Sequence, residues 1–352
     1  VMWKKLSVVG MSSALALSLA ACGSESSSTE GKSSAKSDVI EASIKDATYV
    51  ISSEDDGQSV DSETGLLEVD VKVTNKTNSS IMLDSYDGVK LYDGDEQIEP
   101  ENVYDTEVGL DDDSSGTIGG KKVKNVKYYF NVEKDKSYEV GLKPRTKDVE
   151  DEAEEVMLKL DTKKYDDSFE ALQDPAKAVE AYVKTLYFGE EDKNYDKLVS
   201  ADKEKIEEQA KEAFVDRMST ATSGTNVDDS EMNKMYDAYK ATLAEKAKLE
   251  PRVVARGKDK AEVKLKYSSV SLSDVYDALG DYAKEYMEQN ATYDREAAYG
   301  YAVTKFDKIM EDTDAKNSSY DMTIDLKLKD GKWEIDSSAV KDFNTAFGEG
   351  LL

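Results

Sequence analysis

The sequence contains no histidine and only one cysteine, Cys22. Histidine is the commonest general base and metal ligand, so its absence excludes serine–histidine and cysteine–histidine catalysis and ordinary zinc catalysis. With Cys22 set aside no thiol remains, so neither an intrachain disulfide nor a thiolate metal centre can form. Carboxylate and lysine chemistry stay open. Positive charge is also scarce: 47 Lys and Arg stand against 75 Asp and Glu, a formal net charge of −28. A field of that sign repels nucleic acid and anionic lipid head groups, so no nucleic-acid partner is expected. It favours solubility, cationic partners or loosely held divalent cations, and a solvated acidic surface is the plainest account of it.

What is present begins with a positive segment, Val1-Met2-Trp3-Lys4-Lys5, and an apolar run from Leu6 to Ala21. The run is about 16 residues, short of the ~20 that a membrane-spanning helix needs. It closes on Leu19-Ala20-Ala21-Cys22-Gly23, so a charged start and an apolar middle lead to small residues at a cleavage point, as in a secretion signal. The Leu-Ala-Ala-Cys ending resembles the lipobox of bacterial lipoproteins. The resemblance implies a signal peptide over 1–21, removed before Cys22, and a diacylglycerol on the Cys22 thiol. It also implies lipid anchoring on the outer, extracytoplasmic face of the cell membrane. Two acyl chains hold such a tether because each buried methylene contributes roughly 0.8 kcal/mol, while one chain alone binds only marginally. Loss of Lys4 and Lys5 with the leader leaves a charge of about −30.

Residues 22–37 read as a lipidated cysteine and a disordered tether, because Gly23 to Ser37 offers no sizeable apolar group to bury. The mature chain, about 330 residues, exceeds one typical core, so two domains are expected.

Residues 38–165 read as strands. Leu67 to Val73 alternates apolar with polar, as a strand with one buried face must. Turn residues Asn75 to Ser80 follow; then come Ile81-Met82-Leu83 and Val89-Lys90-Leu91-Tyr92 before Asp93-Gly94. Val126 to Val132, Tyr138 to Leu142 and Val156 to Leu160 complete a set of short strands, the pattern of a β-sandwich. Val69-Asp70-Val71-Lys72-Val73-Thr74-Asn75, the Asp93-Gly94 turn, and Gly119-Gly120 ahead of Tyr129-Phe130-Asn131-Val132 resemble an immunoglobulin-like domain of unknown function on lipoproteins of Gram-positive bacteria. Those motifs are structural; the resemblance implies fold and location, not activity. Two acidic clusters, Glu54-Asp55-Asp56-Gly57 and Asp111-Asp112-Asp113, offer oxygen ligands but lack the EF-hand spacing, so no metal is assigned to them.

Residues 174–347 read as an α+β domain. Asp174-Pro175 predicts a helix start, with Asp174 as the capping side chain. Ala178, Val179, Tyr182, Val183 and Leu186 then recur at helical spacing. A short turn-and-helix segment is expected over 192–200. Helices are expected over Glu204–Met218, Ser230–Leu249, Ser271–Gln289 and Tyr293–Asp312. Strands are expected over Arg252–Arg256, Ala261–Tyr267 and Asp321–Lys329, with Lys332–Asp336 across an Asp330-Gly331 turn. Helices first, antiparallel strands later and a final Asp-Gly-Lys-Trp hairpin resemble a nuclear-transport-factor-2-like or cystatin-like fold, from which the helical insertion 204–249 departs. The fold class expected is thus an all-β immunoglobulin-like sandwich followed by an α+β domain, helices packed on an antiparallel sheet.

Tyr276, Tyr282, Tyr286, Tyr293, Tyr299 and Tyr301 crowd the two late helices. They suit either a groove for a sugar or peptide, or helix packing with hydroxyls at the core edge, which is preferred. Glu285, Glu288, Asp294 and Glu296 lie among them and raise a carboxylate-pair glycosidase as a remote reading. No catalytic residue and no cofactor is assigned. The leading expectation is a non-catalytic envelope lipoprotein that binds another envelope component, a protein. Next come a ligand-binding or sensing lipoprotein with a pocket in the α+β domain and, last, a carboxylate-dependent wall hydrolase.

Overall fold

A computed structural model describes residues 33–53, 63–111, 116–146, 153–222, 225 and 227–350. Thirteen strands fill its first half: β1 (Ser34–Lys36), β2 (Ile40–Val50), β3 (Thr64–Asn75), β4 (Ile81–Met82), β5 (Val89–Asp93), β6 (Glu96–Ile98), β7 (Tyr104–Asp105), β8 (Leu110–Asp111), β9 (Thr117–Ile118), β10 (Val123–Glu133), β11 (Ser137–Leu142), β12 (Arg145–Thr146) and β13 (Val156–Asp161). Two four-stranded antiparallel sheets, in orders β1-β2-β3-β10 and β13-β11-β5-β6, form the sandwich. Period-2 alternation sends Val69, Val71 and Val73 of one sheet, with Leu91, Val140 and Leu158 of the other, into the same fully buried core. Asn75 closes β3 with a fully used amide. Its Nδ2 donates to the carbonyls of Ser79, Ile118 and Gly119 at 2.8, 3.0 and 3.0 Å, and its Oδ1 accepts from the Thr77 amide and hydroxyl, both at 2.8 Å.

The second half runs α1 (Asp166–Glu170), α2 (Asp174–Leu186), α3 (Tyr195–Leu198), α4 (Lys203–Ala221), α5 (Asp229–Lys246), β14 (Leu249–Arg256), β15 (Lys260–Val270), α6 (Leu272–Gln289), α7 (Arg295–Val303), α8 (Phe306–Asp312), β16 (Ala315–Asn317), β17 (Met322–Lys329), β18 (Lys332–Ile335) and α9 (Ser337–Phe343), with a π-helical turn over Asn344–Gly348. Its antiparallel sheet has the order β14-β15-β17-β18, with β16 also on β15. Asp330 and Gly331 both take positive φ, 52° and 79°, the conformation of a two-residue turn that matches strand twist. The fold class is the expected one: antiparallel sheets, then helices on a sheet.

Four local expectations are corrected. The tether was expected to reach residue 37, yet Ser34–Lys36 is an edge strand on Glu41–Ser43. Ladder hydrogen bonds order it, and these need no apolar side chain. Ser37 shapes the connection, its hydroxyl accepting from the amides of Val39 and Ile40 at 3.2 Å each. Asp174 does not cap α2: it lies in the first turn, follows Gln173 at the cap position, and pairs with Lys177 at 2.8 Å. The helix expected over 293–312 is two helices, broken at Thr304-Lys305, where the Thr304 hydroxyl donates to the Tyr301 carbonyl at 2.6 Å and competes with the helical bond. Leu249 opens β14 rather than ending a helix, because Ala247 leaves the helical backbone (ψ 148°).

The two halves share one continuous core and a hydrogen-bonded seam. Ile51 and Arg256 exchange backbone hydrogen bonds of 2.9 and 2.8 Å, which joins the end of β2 to the end of β14. Tyr49 meets Phe169 edge-on at 4.9 Å, and its amide donates to the Ser168 hydroxyl at 3.0 Å. A second, smaller apolar cluster fills the seam: Val50, Leu66 and Tyr129 from the outer face of the first sheet, Val103, Val108 and Leu110 around the β7–β8 hairpin, and Ala255 from β14.

Candidate functional site

The seam places the β7–β8 hairpin beside the second sheet. Val108 approaches Gly257 so closely that a Cβ there would sit 2.1 Å from the Val108 carbonyl oxygen, so only glycine admits the contact. The Lys260 ammonium donates to the Glu107 carbonyl at 3.2 Å. Between this hairpin, the start of α4, strands β17 and β18, and α9 opens a cleft of about 940 Å³. It is within the size range of ligand sites, and it lies where such sites concentrate, between two substructures.

Its walls carry both signs of charge. The lysines are Lys205, Lys260, Lys327 and Lys341; the acids are Glu107, Asp202, Asp325, Glu334 and Asp336. This is near balance in a chain where acids outnumber bases 75 to 47. Most of the acids are committed to structure. Asp202 caps α4, accepting from the Lys205 amide at 3.3 Å. Asp336 caps α9, accepting from the Ser338 amide at 2.9 Å and its hydroxyl at 2.7 Å; these two bonds hold its carboxyl below the usual range. Glu334 stands opposite Lys327 in the ladder and 3.7 Å from Lys329. Asp325 stands opposite Glu262, whose carboxyl is raised by its own burial and then by the Asp325 charge.

Tyr182 of α2 also lies on the cleft wall. Its side chain is 1 % exposed and its hydroxyl finds no hydrogen-bond partner among the described residues. Burial raises its pKa, with a smaller contribution from Tyr195. Unpaired buried hydroxyls are uncommon and each calls for an explanation.

The described residues among those singled out in the sequence do not line this cleft. Cys22 and Glu54-Asp55-Asp56-Gly57 lie outside the described residues, as do Asp112 and Asp113. Among the described residues no acidic or cysteine cluster could hold a metal ion. Tyr282, Tyr286 and Tyr299 pack on the core, and Tyr286 meets Tyr301 at 5.2 Å. Tyr276 and Tyr293 are exposed. Glu285, Glu288, Asp294 and Glu296 are all exposed: Glu285 accepts from Gln289 at 2.8 Å, Glu288 reaches Lys284 at 4.0 Å and Asp294 caps α7. The cleft residues went unmarked because no linear motif joins positions 107, 182, 205, 260, 327 and 341. The one local clue is Lys327, which alternation places on the polar face of a hairpin strand.

Among the described residues no helix is long and apolar enough to cross a membrane. The sequence is 27% identical over 343 residues to the "Uncharacterized lipoprotein YcdA" of Bacillus subtilis (strain 168), covering 95% of each chain. The crystal structure of the ycdA lipoprotein from B. subtilis superposes with a TM-score of 0.67 at 25% identity, covering 90% of this chain and 99% of that one. The B. subtilis yjhA protein covers 36% of this chain and 96% of its own at 18% identity, with a TM-score of 0.28. The YcdA matches group the chain with lipoproteins, and two family models match it, one N-terminal and one C-terminal. Residues 32–151 match the domain of unknown function DUF4352. Residues 165–348 match the domain of unknown function DUF5105, and since that match spans more than half of the sequence, the chain belongs to the DUF5105 family.

Proposed function

We propose that this protein is a non-catalytic lipoprotein of the cell envelope, anchored by a lipid on Cys22 to the outer face of the cell membrane, and that it binds another envelope component, a protein, in the cleft between its two halves. The observation that carries this reading is the cleft itself: open, polar-walled and built from residues of both halves across a seam locked by the Ile51–Arg256 hydrogen bonds. Walls already joined by backbone hydrogen bonds lower the ordering cost of binding. The non-catalytic part is supported by the lack of histidine and by the use of Asp202 and Asp336 as helix caps, which leaves them poorly placed for proton transfer. The anchor is supported by the Leu-Ala-Ala-Cys motif and by the lipoprotein relatives. A sensing role for a small ligand in the same cleft is the second reading, favoured by the unpartnered Tyr182 hydroxyl.

Two measurements test the proposal. Metabolic labelling with a fatty acid should mark the wild-type chain and not Cys22→Ser, which should also appear in the soluble fraction. Affinity capture from native membranes with the intact lipoprotein should retain a protein that Ala201→Trp, an exposed wall position, releases by filling the cleft. Labelling of Cys22→Ser at the wild-type level, or capture indifferent to Ala201→Trp, would refute the corresponding part.

A further inference from the structure

We propose that the cleft takes a carboxylate presented by a polypeptide, held by Lys205, Lys327 and Lys341 with the Tyr182 hydroxyl as a further donor. This rests on the reading of the cleft as the binding site and names the group it recognises. Four observations point to a missing oxygen acceptor. Lys260 and Lys327 face each other as register partners on β15 and β17, and like charges directly opposite are destabilising. Lys260 relieves this only through a backbone carbonyl, that of Glu107. Lys205, Lys327 and Lys341 form no ion pair with a described residue, although acids are abundant around them. The Tyr182 hydroxyl, buried on the same wall, has no acceptor.

The acids of the wall do not compete for the lysines equally: Asp202 and Asp336 are bound in caps, Asp336 still feeling the charge of Lys327, and Glu334 stands opposite Lys327 and near Lys329. What remains is a small region of donors in a chain of net charge −28. That long-range field disfavours a polyanion. A single carboxylate escapes most of this repulsion. Glu107 and Asp325 at the same wall suit a cationic group beside it, as a polypeptide carries. Phosphate, with higher charge, fits this balance less well.

The test is calorimetric titration of the intact lipoprotein in mild detergent with N-acetylglycinate, a monocarboxylate, and separately with inorganic phosphate. N-acetylglycinate should bind saturably and more tightly than phosphate. Lys327→Gln and Lys341→Gln should each weaken it about tenfold, the effect of one charge-assisted hydrogen bond. Tyr182→Phe should weaken it a few-fold while leaving the melting temperature at or above that of the wild type, since the hydroxyl it removes has no partner in the free protein. Tighter binding of phosphate, no saturable binding of N-acetylglycinate, or equal binding by the lysine variants would overturn the proposal. The two claims separate in the capture experiment. Retention lost in Ala201→Trp but unchanged in Lys327→Gln and Lys341→Gln would overturn the carboxylate assignment and leave the cleft as the binding site.

Discussion

The guanidinium of Arg256 lies 5.6 Å over the ring of Trp333, and both side chains are buried. They start from opposite edge strands, β14 and β18, and the register partner of Arg256 is the small Ala261. Nε and Nη1 of Arg256 have no hydrogen-bond partner, and burial lowers the pKa of the guanidinium to about 10 against the opposing pull of Asp174. The cation is therefore poorly compensated, and the arginine contributes chiefly by its stem and its stacking. Arg256→Met, which keeps the stem, should unfold within about 1 kcal/mol of the wild type in urea, because replacing a buried charge by a hydrophobe is often neutral or stabilising. Trp333→Ala should cost about 3–5 kcal/mol by opening a cavity. A large loss in Arg256→Met would mean that the guanidinium is paired by a bound group.

Gly257 should tolerate no side chain. A Cβ at this position would meet the Val108 carbonyl at 2.1 Å, a backbone atom that cannot rotate away. Gly257→Ala should push the β7–β8 hairpin off the second sheet, lower the melting temperature by several degrees and increase amide exchange at Val108 and Leu110. Wild-type exchange at those two amides would contradict the tight contact.

Asn75 should be irreplaceable by its near-isostere. Asn75→Asp would aim a carboxylate at three carbonyl oxygens that now receive the Nδ2 hydrogens. The loss should exceed that of an ordinary buried hydrogen bond, about 3 kcal/mol or more, and should shrink as pH falls and the acid is protonated. A loss that grows on acidification would count against this account.

Alkaline pH should destabilise the fold in a defined window. Burial pushes the Tyr49 and Tyr195 hydroxyls up to about 12, while unfolded tyrosine titrates near ~10. Between those values the unfolded chain releases protons that the folded chain keeps, so stability falls as pH rises from about 10 to 12 and is unaffected by these groups below. Absorbance at the tyrosinate band should show late ionisation in the native protein and ordinary ionisation in guanidinium, with a urea midpoint that drops across the same window. Coincident titrations in the two states would remove the effect.

Strand β3 was readable because Leu67 to Val73 alternates without a fault, and the Asp330-Gly331 hairpin because its turn demands positive φ at both residues. Asn75 was readable as part of a motif, though not for its reason, since its partners Ile118 and Gly119 lie more than forty positions away. Strand β2 went unread although it is central to its sheet: a register shift between Ile44 and Asp46 breaks its alternation midway. The late helix was read as one piece because helical periodicity continues through Thr304, where a local hydroxyl bond ends it.

Local chemistry along the chain was thus enough to give the class of the fold, its most regular strands and helices and several turns, because periodicity and turn propensity act over a few neighbours. The absence of histidine likewise excluded serine–histidine and cysteine–histidine catalysis. The cleft was beyond the reach of that local chemistry. The pairing of Lys260 with Lys327, the approach of Val108 to Gly257 and the burial of an unpartnered Tyr182 hydroxyl depend on which strands neighbour one another and how the two halves close. Those are outcomes of long-range packing, and no short stretch of sequence encodes them.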